Sequence, residues 1–360
     1  MFRTILFAML VSCTIASHAP ALERPGIEFK VFQFHRTMIP RIDGNTDDWD
    51  IVGDEYKIGT DQLNDTVKGI GTNINTQDID VTVRVGWVKG LNRLYFLYEG
   101  YDEFWDFALN SLHTDIFELV VDGDLSGGPF IKQMNPNKDI LSEEELHFTF
   151  HGVHVQNYHI FTPPANKDWN FVWGCPQYTK DLPYANYAYS YDFKHGESGK
   201  LVLEFWITPF DYAPYDAPDR AVLSQLGENK IVGISWSVLD YDGPGQYEGF
   251  YNLSHKTEMY GDATNLCAFR LMPLEKRFRK PFEAHWVFQV VDLDRRLVAF
   301  KDQSYGTITK WTWDFGDGTS SHEQNPMHQY TKAGEMIVVL TIEGPDGTSE
   351  FCRVRDLVLK

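Results

Sequence analysis

Val81-Thr82-Val83-Arg84-Val85-Gly86-Trp87 alternates around β-branched residues, and Leu94-Tyr95-Phe96-Leu97-Tyr98 follows after a turn at Lys89-Gly90-Leu91-Asn92. A period of two puts Val81, Val83, Val85 and Trp87 on one face of a strand, so Trp87 reads as a core residue. Outward from this pair the signal recurs. Ile116 to Val121 is apolar and ends at Asp122-Gly123-Asp124, and Leu146 to Val155, Leu201 to Ile207 and Ile231 to Leu239 read as further strands. Short strands bounded this often by Gly, Pro, Asn and Asp predict an all-β sandwich. Helical periodicity is nearly absent; Pro218 to Leu226 predicts one short helix. Phe161 to Tyr191, rich in Pro, Asn, Trp and Tyr, reads as a long loop, and loops of that length in compact domains usually carry function.

The 360 residues are 43% hydrophobic and 23% charged, which excludes a largely disordered chain, a coiled coil and a collagen, and fits about two domains. The net charge of −19 repels phosphate backbones, so nucleic acid is not an expected partner. Arg3, the apolar run from Ile5 to Ala16 and Ala19-Pro20-Ala21 read as a signal peptide over residues 1–21, predicting a secreted, periplasmic or cell-surface protein. Leu10-Val11-Ser12-Cys13 resembles a bacterial lipobox and gives lipidation at Cys13 as the minor alternative. After Leu22 no run of ~18 apolar residues occurs, so no transmembrane helix is expected. Cys175, Cys267 and Cys352 are odd in number and widely spaced, which is no disulfide framework; a Cys175–Cys267 bridge and three buried thiols both stay open, as does the oligomeric state.

A boundary falls at the basic stretch 276–282, which reads as a solvated linker before a strand-rich unit of residues 283–360. That unit contains Trp311-Thr312-Trp313-Asp314-Phe315-Gly316-Asp317-Gly318-Thr319, then Asn325-Pro326-Met327-His328-Gln329-Tyr330, then Ala333-Gly334 and the strand Met336 to Thr341. These motifs resemble the PKD (polycystic kidney disease) domain, with Met336 where that family usually has Tyr. The resemblance implies an immunoglobulin-like sandwich used as a spacer or adhesion module. The residues agree: Gly316 and Gly318 allow positive φ in a tight turn, Asp317 can accept bonds from amides within it, and Tyr330 can anchor a corner through its hydroxyl. Asp314 and Asp317 therefore read as turn builders rather than catalytic acids.

Residues 28–275 form the first unit. It opens with Ile42-Asp43-Gly44-Asn45-Thr46-Asp47-Asp48-Trp49, and Trp87, Leu94-Tyr95-Phe96, Asp102 and Asp115-Ile116-Phe117-Glu118-Leu119-Val120-Val121-Asp122 follow in order. This pattern resembles the family 9 carbohydrate-binding module, which implies a second β-sandwich and a polysaccharide or oligosaccharide ligand held between aromatic rings. Gly44 and the Asn-Thr-Asp run make a turn, and Trp49 packs inward as a lid on one end of the sandwich. Sugar rings lie flat on Trp or Tyr while their hydroxyls need planar polar partners, so loop aromatics are the binding candidates: Trp105 with Trp173 as the pair, Trp169 as substitute and Asp102 as polar partner. The competing reading is that these rings close the end of the core. Tyr184, Tyr187, Tyr189 and Tyr191 line the same groove or form one face of a strand.

Asp122-Gly123-Asp124-Leu125-Ser126-Gly127-Gly128 places hard oxygens at alternate positions before glycines, the first half of a loop for a structural Ca2+ held by Asp122, Asp124 and Ser126. A closing acid is not evident; Asn135 and Asp139 are nearest, and a Gly-rich hairpin with solvated acids is the competing reading. His147, His151, His154 and His159 crowd one stretch, better explained as a polar sheet face than as a transition-metal site. Asp240, Asp242 and Glu248 flank the turn at Gly243-Pro244-Gly245, and two such acids are what glycoside hydrolysis would need. Without a nucleophile elbow, a zinc-protease helix motif or a phosphate loop, non-catalytic glycan binding accessory to carbohydrate catabolism is the leading expectation. A glycoside hydrolase and a haem-binding or adhesive sandwich are the alternatives.

Overall fold

The computed structural model describes residues 22–109, 111–142, 145–146, 153–173, 176–215 and 217–359, without the side chains of Trp173 and 354–359. The expected signal peptide with Cys13, the residues His147 and His151, and Cys175 lie outside the described residues. The chain is all-β and forms two β-sandwiches; the named helical segments are 3-10 turns of three or four residues. The short helix expected from Pro218 to Leu226 is one such turn, Pro218–Arg220, followed by the strand Val222–Leu223.

Alternation builds the larger sandwich. Val81, Val83, Val85 and Trp87, with Phe96, Tyr98, Leu203 and Phe205, face Phe117, Leu119, Val121, Ile234, Trp236 and Val238 in one core. Trp87 is fully buried, and its indole N–H donates to the Met272 carbonyl at 3.0 Å. One sheet runs from its edge through Asn170–Trp173, Gln156–Phe161, Ile116–Asp122, Ile231–Tyr241 and Cys267–Leu271. The other runs through Ile79–Val88, Leu94–Asp102 and Gly199–Ile207 to Ala185–Ser190 at its edge. Strand Glu23–Phe34 belongs to both: its first part pairs in parallel with Cys267–Leu271, and Phe32, Gln33 and Phe34 pair in parallel with Ile79–Val88. It begins ahead of the boundary expected at residue 28, because Pro25-Gly26 mask its start in the sequence. The described residues of the strand expected from Leu146 to Val155 are not strand, and a strand begins only at Gln156; the segment 161–191 is no continuous loop, since it contributes both edge strands.

Trp49 packs inward, but not as a lid on one end: with Phe34, Val88, Tyr95, Leu97 and Trp206 it covers the outer face of the second sheet, away from the main core. Asn45 caps the turn Thr46–Trp49 through its side chain, and Gly44 sits at φ 81°. The buried Trp49 indole donates to Glu204 Oε1 at 2.9 Å, while the Gly44 amide donates to Oε2 at 2.8 Å. One buried carboxylate thus fixes both the turn and the indole that covers the sheet.

The smaller sandwich packs the sheet Trp286–Asp292, Leu297–Asp302, Met327–Gln329 against the sheet Ser320–Ser321, Lys310–Asp314, Gly334–Gly344, Gly347–Leu359. Trp286, Phe300, Trp313 and Leu340 fill its core. The Tyr330 hydroxyl donates to the Phe315 carbonyl at 3.0 Å, the corner anchor read from the sequence. Gly316 and Gly318 have φ of 78° and 87°, and a Cβ at Gly316 would lie 2.4 Å from the Ile337 carbonyl oxygen. Asp317 accepts from the Thr319 amide at 3.0 Å and pairs with His328 at 2.8 Å, a turn-building role.

The segment between the sandwiches is docked rather than solvated. Phe278 packs edge-on to Phe32, Arg277 donates to the Ile51 carbonyl and Arg279 to the Leu274 carbonyl. Glu283 then bonds His35 at 3.0 Å and Arg36 at 2.9 Å. Arg353 donates to the Gly90 carbonyl from the other side.

Candidate functional site

The expected aromatic platforms are not where the sequence put them. Trp105 is 1% exposed; its ring stacks on Phe193 at 5.2 Å and its indole N–H donates to the Gly199 carbonyl. Trp169, also 1% exposed, lies in the main core and its indole donates to the Lys180 carbonyl. Neither ring has a free face for a sugar, and both do what the competing reading held: they close the open margins of the core, where polar loops alone would leave apolar side chains wet. Trp173 ends the strand Asn170–Trp173, and its side chain lies outside the described residues. Asp102 is fully buried, accepts from the Phe104 amide at 2.8 Å and is out of reach of a sugar.

The exposed aromatics are on the edge strand Ala185–Ser190 and just beyond it. Tyr187 and Tyr191 are 42% and 39% exposed, and period two puts them on one face with Tyr189. Trp169 stacks beneath Tyr187 at 4.7 Å and 17°, so the buried indole holds the exposed ring flat. The Tyr189 hydroxyl donates to the Phe161 carbonyl at 2.8 Å, tying this edge to the opposite sheet. Phe171, on the other sheet's edge strand, is exposed as well. Asp168, paired with Lys180, and the exposed Ser190 and Asp192 provide polar groups along this margin. The sequence left Tyr184, Tyr187, Tyr189 and Tyr191 open between groove and strand face; Tyr187 and Tyr189 form a strand face with Tyr191 just beyond it, on an edge with no further strand beside it among the described residues, while Tyr184 precedes the strand and packs on Phe210.

A second constellation sits at one end of the larger sandwich. Asp102 continues the core-facing stripe of Phe96 and Tyr98 on one sheet, and Asp240 continues that of Trp236 and Val238 on the other. Carboxylate oxygens of Asp102, Asp240 and Asp242 lie within 4.8 Å of one another, and so do those of Asp78, Glu103 and Asp242. Burial, then the charges of Asp102, Asp78 and Asp242, push the Asp240 carboxyl up to about 9. Burial likewise raises Asp102 to about 7 and Asp242 to about 6. Sequence reasoning took Asp240 for a turn residue or a catalytic acid and missed Asp78 and Glu103. The legible signal was an acid in phase with an apolar stripe on each of two strands.

These positions also bear on hydrolysis. Asp240 is 1% exposed, beyond reach of a glycosidic oxygen, and Glu248 is held by Lys68 at 2.8 Å. In the Asp122 loop, Asp122 is buried and accepts from the Gly127 amide at 2.8 Å and the Ser126 amide at 3.2 Å. Asp124 accepts from the same Ser126 amide at 3.1 Å. Burial raises Asp122 to about 6. The loop closes on its own amides, as a turn does. His159 bonds Glu118 at 3.1 Å inside the sheet and His154 faces the Asp211 carbonyl at 2.7 Å, so these two histidines hold structural positions. Cys267 is a buried free thiol and Cys352 an exposed one.

Over 47 residues the chain is 45% identical to the pre-pro-metalloprotease PrtV of Vibrio cholerae, a match covering 13% of this chain and 5% of that relative. The chain thus spans about a twentieth of the length of the curated relative it matches. The crystal structure of the PKD1 domain of the same protease aligns at 27% identity over 22% of this chain and 99% of its own, with a TM-score of 0.20. A family 9 carbohydrate-binding module from Caldicellulosiruptor kristjanssonii, solved with cellotriose, aligns at 13% identity over 71% of this chain and 98% of its own, with a TM-score of 0.44. The PKD domain family itself matches residues 294–357, which identifies the smaller sandwich as a PKD domain.

Proposed function

We propose that the larger sandwich binds a saccharide along the aromatic margin formed by Tyr187 and Tyr191, and that the PKD domain is a non-catalytic module attached to it. The observation that carries this reading is the stacked pair Trp169–Tyr187, which presents a flat, half-exposed ring beside Tyr191 and next to hydroxyl and carboxylate groups. A pyranose ring offers a C–H face to such a ring and hydroxyls to such a rim, and sites of this kind are apolar surfaces with a few placed polar groups. Phe171, exposed on the facing edge strand, belongs to the proposed surface. The order Ile42-Asp43-Gly44, Trp49, then Asp115 to Asp122, similar to the family 9 carbohydrate-binding module, supports the same ligand class. We place the protein outside the cytoplasm, as the sequence of residues 1–21 predicts, in an accessory role in carbohydrate catabolism.

Isothermal calorimetry of the full chain against a panel of soluble oligosaccharides tests this. We expect binding by at least one member, weakened tenfold or more by Tyr187→Ala. Binding unaffected by Tyr187→Ala and Tyr191→Ala would put the ligand elsewhere, and silence across the panel would remove the saccharide reading.

A further inference from the structure

The acidic end of the larger sandwich has a property that turn formation and packing do not explain. Asp240 is 1% exposed, and neither of its carboxylate oxygens has a hydrogen bond of normal geometry, although Tyr251 lies against it. Asp102 Oδ2 and Asp242 Oδ1 are buried without a partner as well, and so is the Tyr98 hydroxyl. Burying carboxyl oxygens without hydrogen-bond partners is costly in either protonation state, and four such atoms converge here. The cation whose charge reaches Asp78 and Asp242 is Lys68, and its ammonium is already bonded to Glu248 at 2.8 Å and to the Tyr247 carbonyl at 3.2 Å.

We propose that this end of the sandwich is a calcium site, with Asp102, Asp240 and Asp242 as direct ligands and the Asp78–Glu103 pair completing the shell around Asp242. Asp102 ends Leu94–Asp102 in one sheet and Asp240 lies in Ile231–Tyr241 of the other, so one ion ties the two sheets together at the point where their apolar stripes run out. The donors are oxygens throughout, without His or Cys, which selects a hard cation over zinc or copper. A loose set drawn from three chain segments suits the irregular coordination of Ca2+ better than the strict octahedron of Mg2+. This site is separate from the Asp122 loop, whose carboxylates already accept backbone amides.

The test uses the full chain, stripped with chelator and titrated with Ca2+ at neutral pH, followed by calorimetry and thermal melting. One ion per chain is expected, with Tm raised by roughly 5–10 °C at a hundredfold excess over Kd. Asp242→Asn should weaken Ca2+ binding tenfold or more, and Asp240→Asn should abolish the Tm shift while the variant still melts cooperatively. Should Asp240→Asn fail to fold, Asp242→Asn alone decides. Asp124→Asn should change nothing. No heat and no Tm shift would overturn the proposal and leave a proton-sharing cluster, and so would a shift that survives Asp242→Asn but is lost in Asp124→Asn.

Discussion

At the scale of single residues, burial decides the role of each tryptophan. Trp105 touches Phe193 face to face and spends its indole N–H on the Gly199 carbonyl. Trp105→Ala should therefore cost about 3–5 kcal/mol of stability, seen as a lowered urea midpoint, as large-to-small core changes do. Tyr330→Phe removes one buried hydroxyl and leaves the Phe315 carbonyl without that donor, so it should destabilise the PKD domain by about 1–2 kcal/mol in the same measurement. Such roles differ in how far they show in sequence. Trp87 and Tyr330 were legible because strand phase and a turn motif fix where their side chains point. Trp105 was not, because a loop residue has no phase; only the fold-back of 103–108 onto Phe193 shows that its ring is covered. Asp240 was legible in principle, since it continues the stripe of Trp236 and Val238, but an acid beside Gly243-Pro244-Gly245 reads first as a turn residue.

At the scale of elements, the central strands announce themselves and the edges do not. Ile79–Val88 and Leu94–Asp102 pair over nine register positions, and their alternation matches the two-faced environment they occupy. The edge strands Asn170–Trp173 and Ala185–Ser190 carry Pro, Asn and Tyr around them because one side of each meets solvent, and that composition reads as loop. The proposed binding surface lies on these same elements, so what hides them as strands also marks them as functional. Ala188 lies opposite Glu204 in the antiparallel pair. If the edge strand positions the ligand, Ala188→Pro should weaken saccharide affinity at least as much as Tyr187→Ala does, with a Tm loss smaller than that of Trp105→Ala. Calorimetry and melting of the three variants side by side check this.

At the scale of the molecule, the two sandwiches are joined through Glu283. Burial opposes its ionisation, but the hydrogen bond from His35 and the charge of Arg36 outweigh burial and hold the carboxyl below its usual range. A depressed folded value means that the contribution is fully present above the unfolded pKa of ~4.3 and is lost as pH falls through the lower folded value. Scanning calorimetry should show the two sandwiches melting together at pH 7 and separately only once the pH falls below the lowered Glu283 value. Glu283→Gln should separate them already at pH 7. A single transition under all three conditions would mean that the Arg353 contact and the packing of Phe278 suffice. The boundary between units was legible at 276–282, but its docking was not, because Arg277, Phe278 and Arg279 find partners in elements more than two hundred residues away or on the far side of their own turn. Saccharide binding at the tyrosine edge is tested most directly by titrating the full chain and its Tyr187→Ala/Tyr191→Ala double variant against immobilised and soluble polysaccharides. Retention of the parent chain, with loss of retention in a double variant that keeps its parent Tm, is the predicted result; equal retention of both, or of neither, would contradict it.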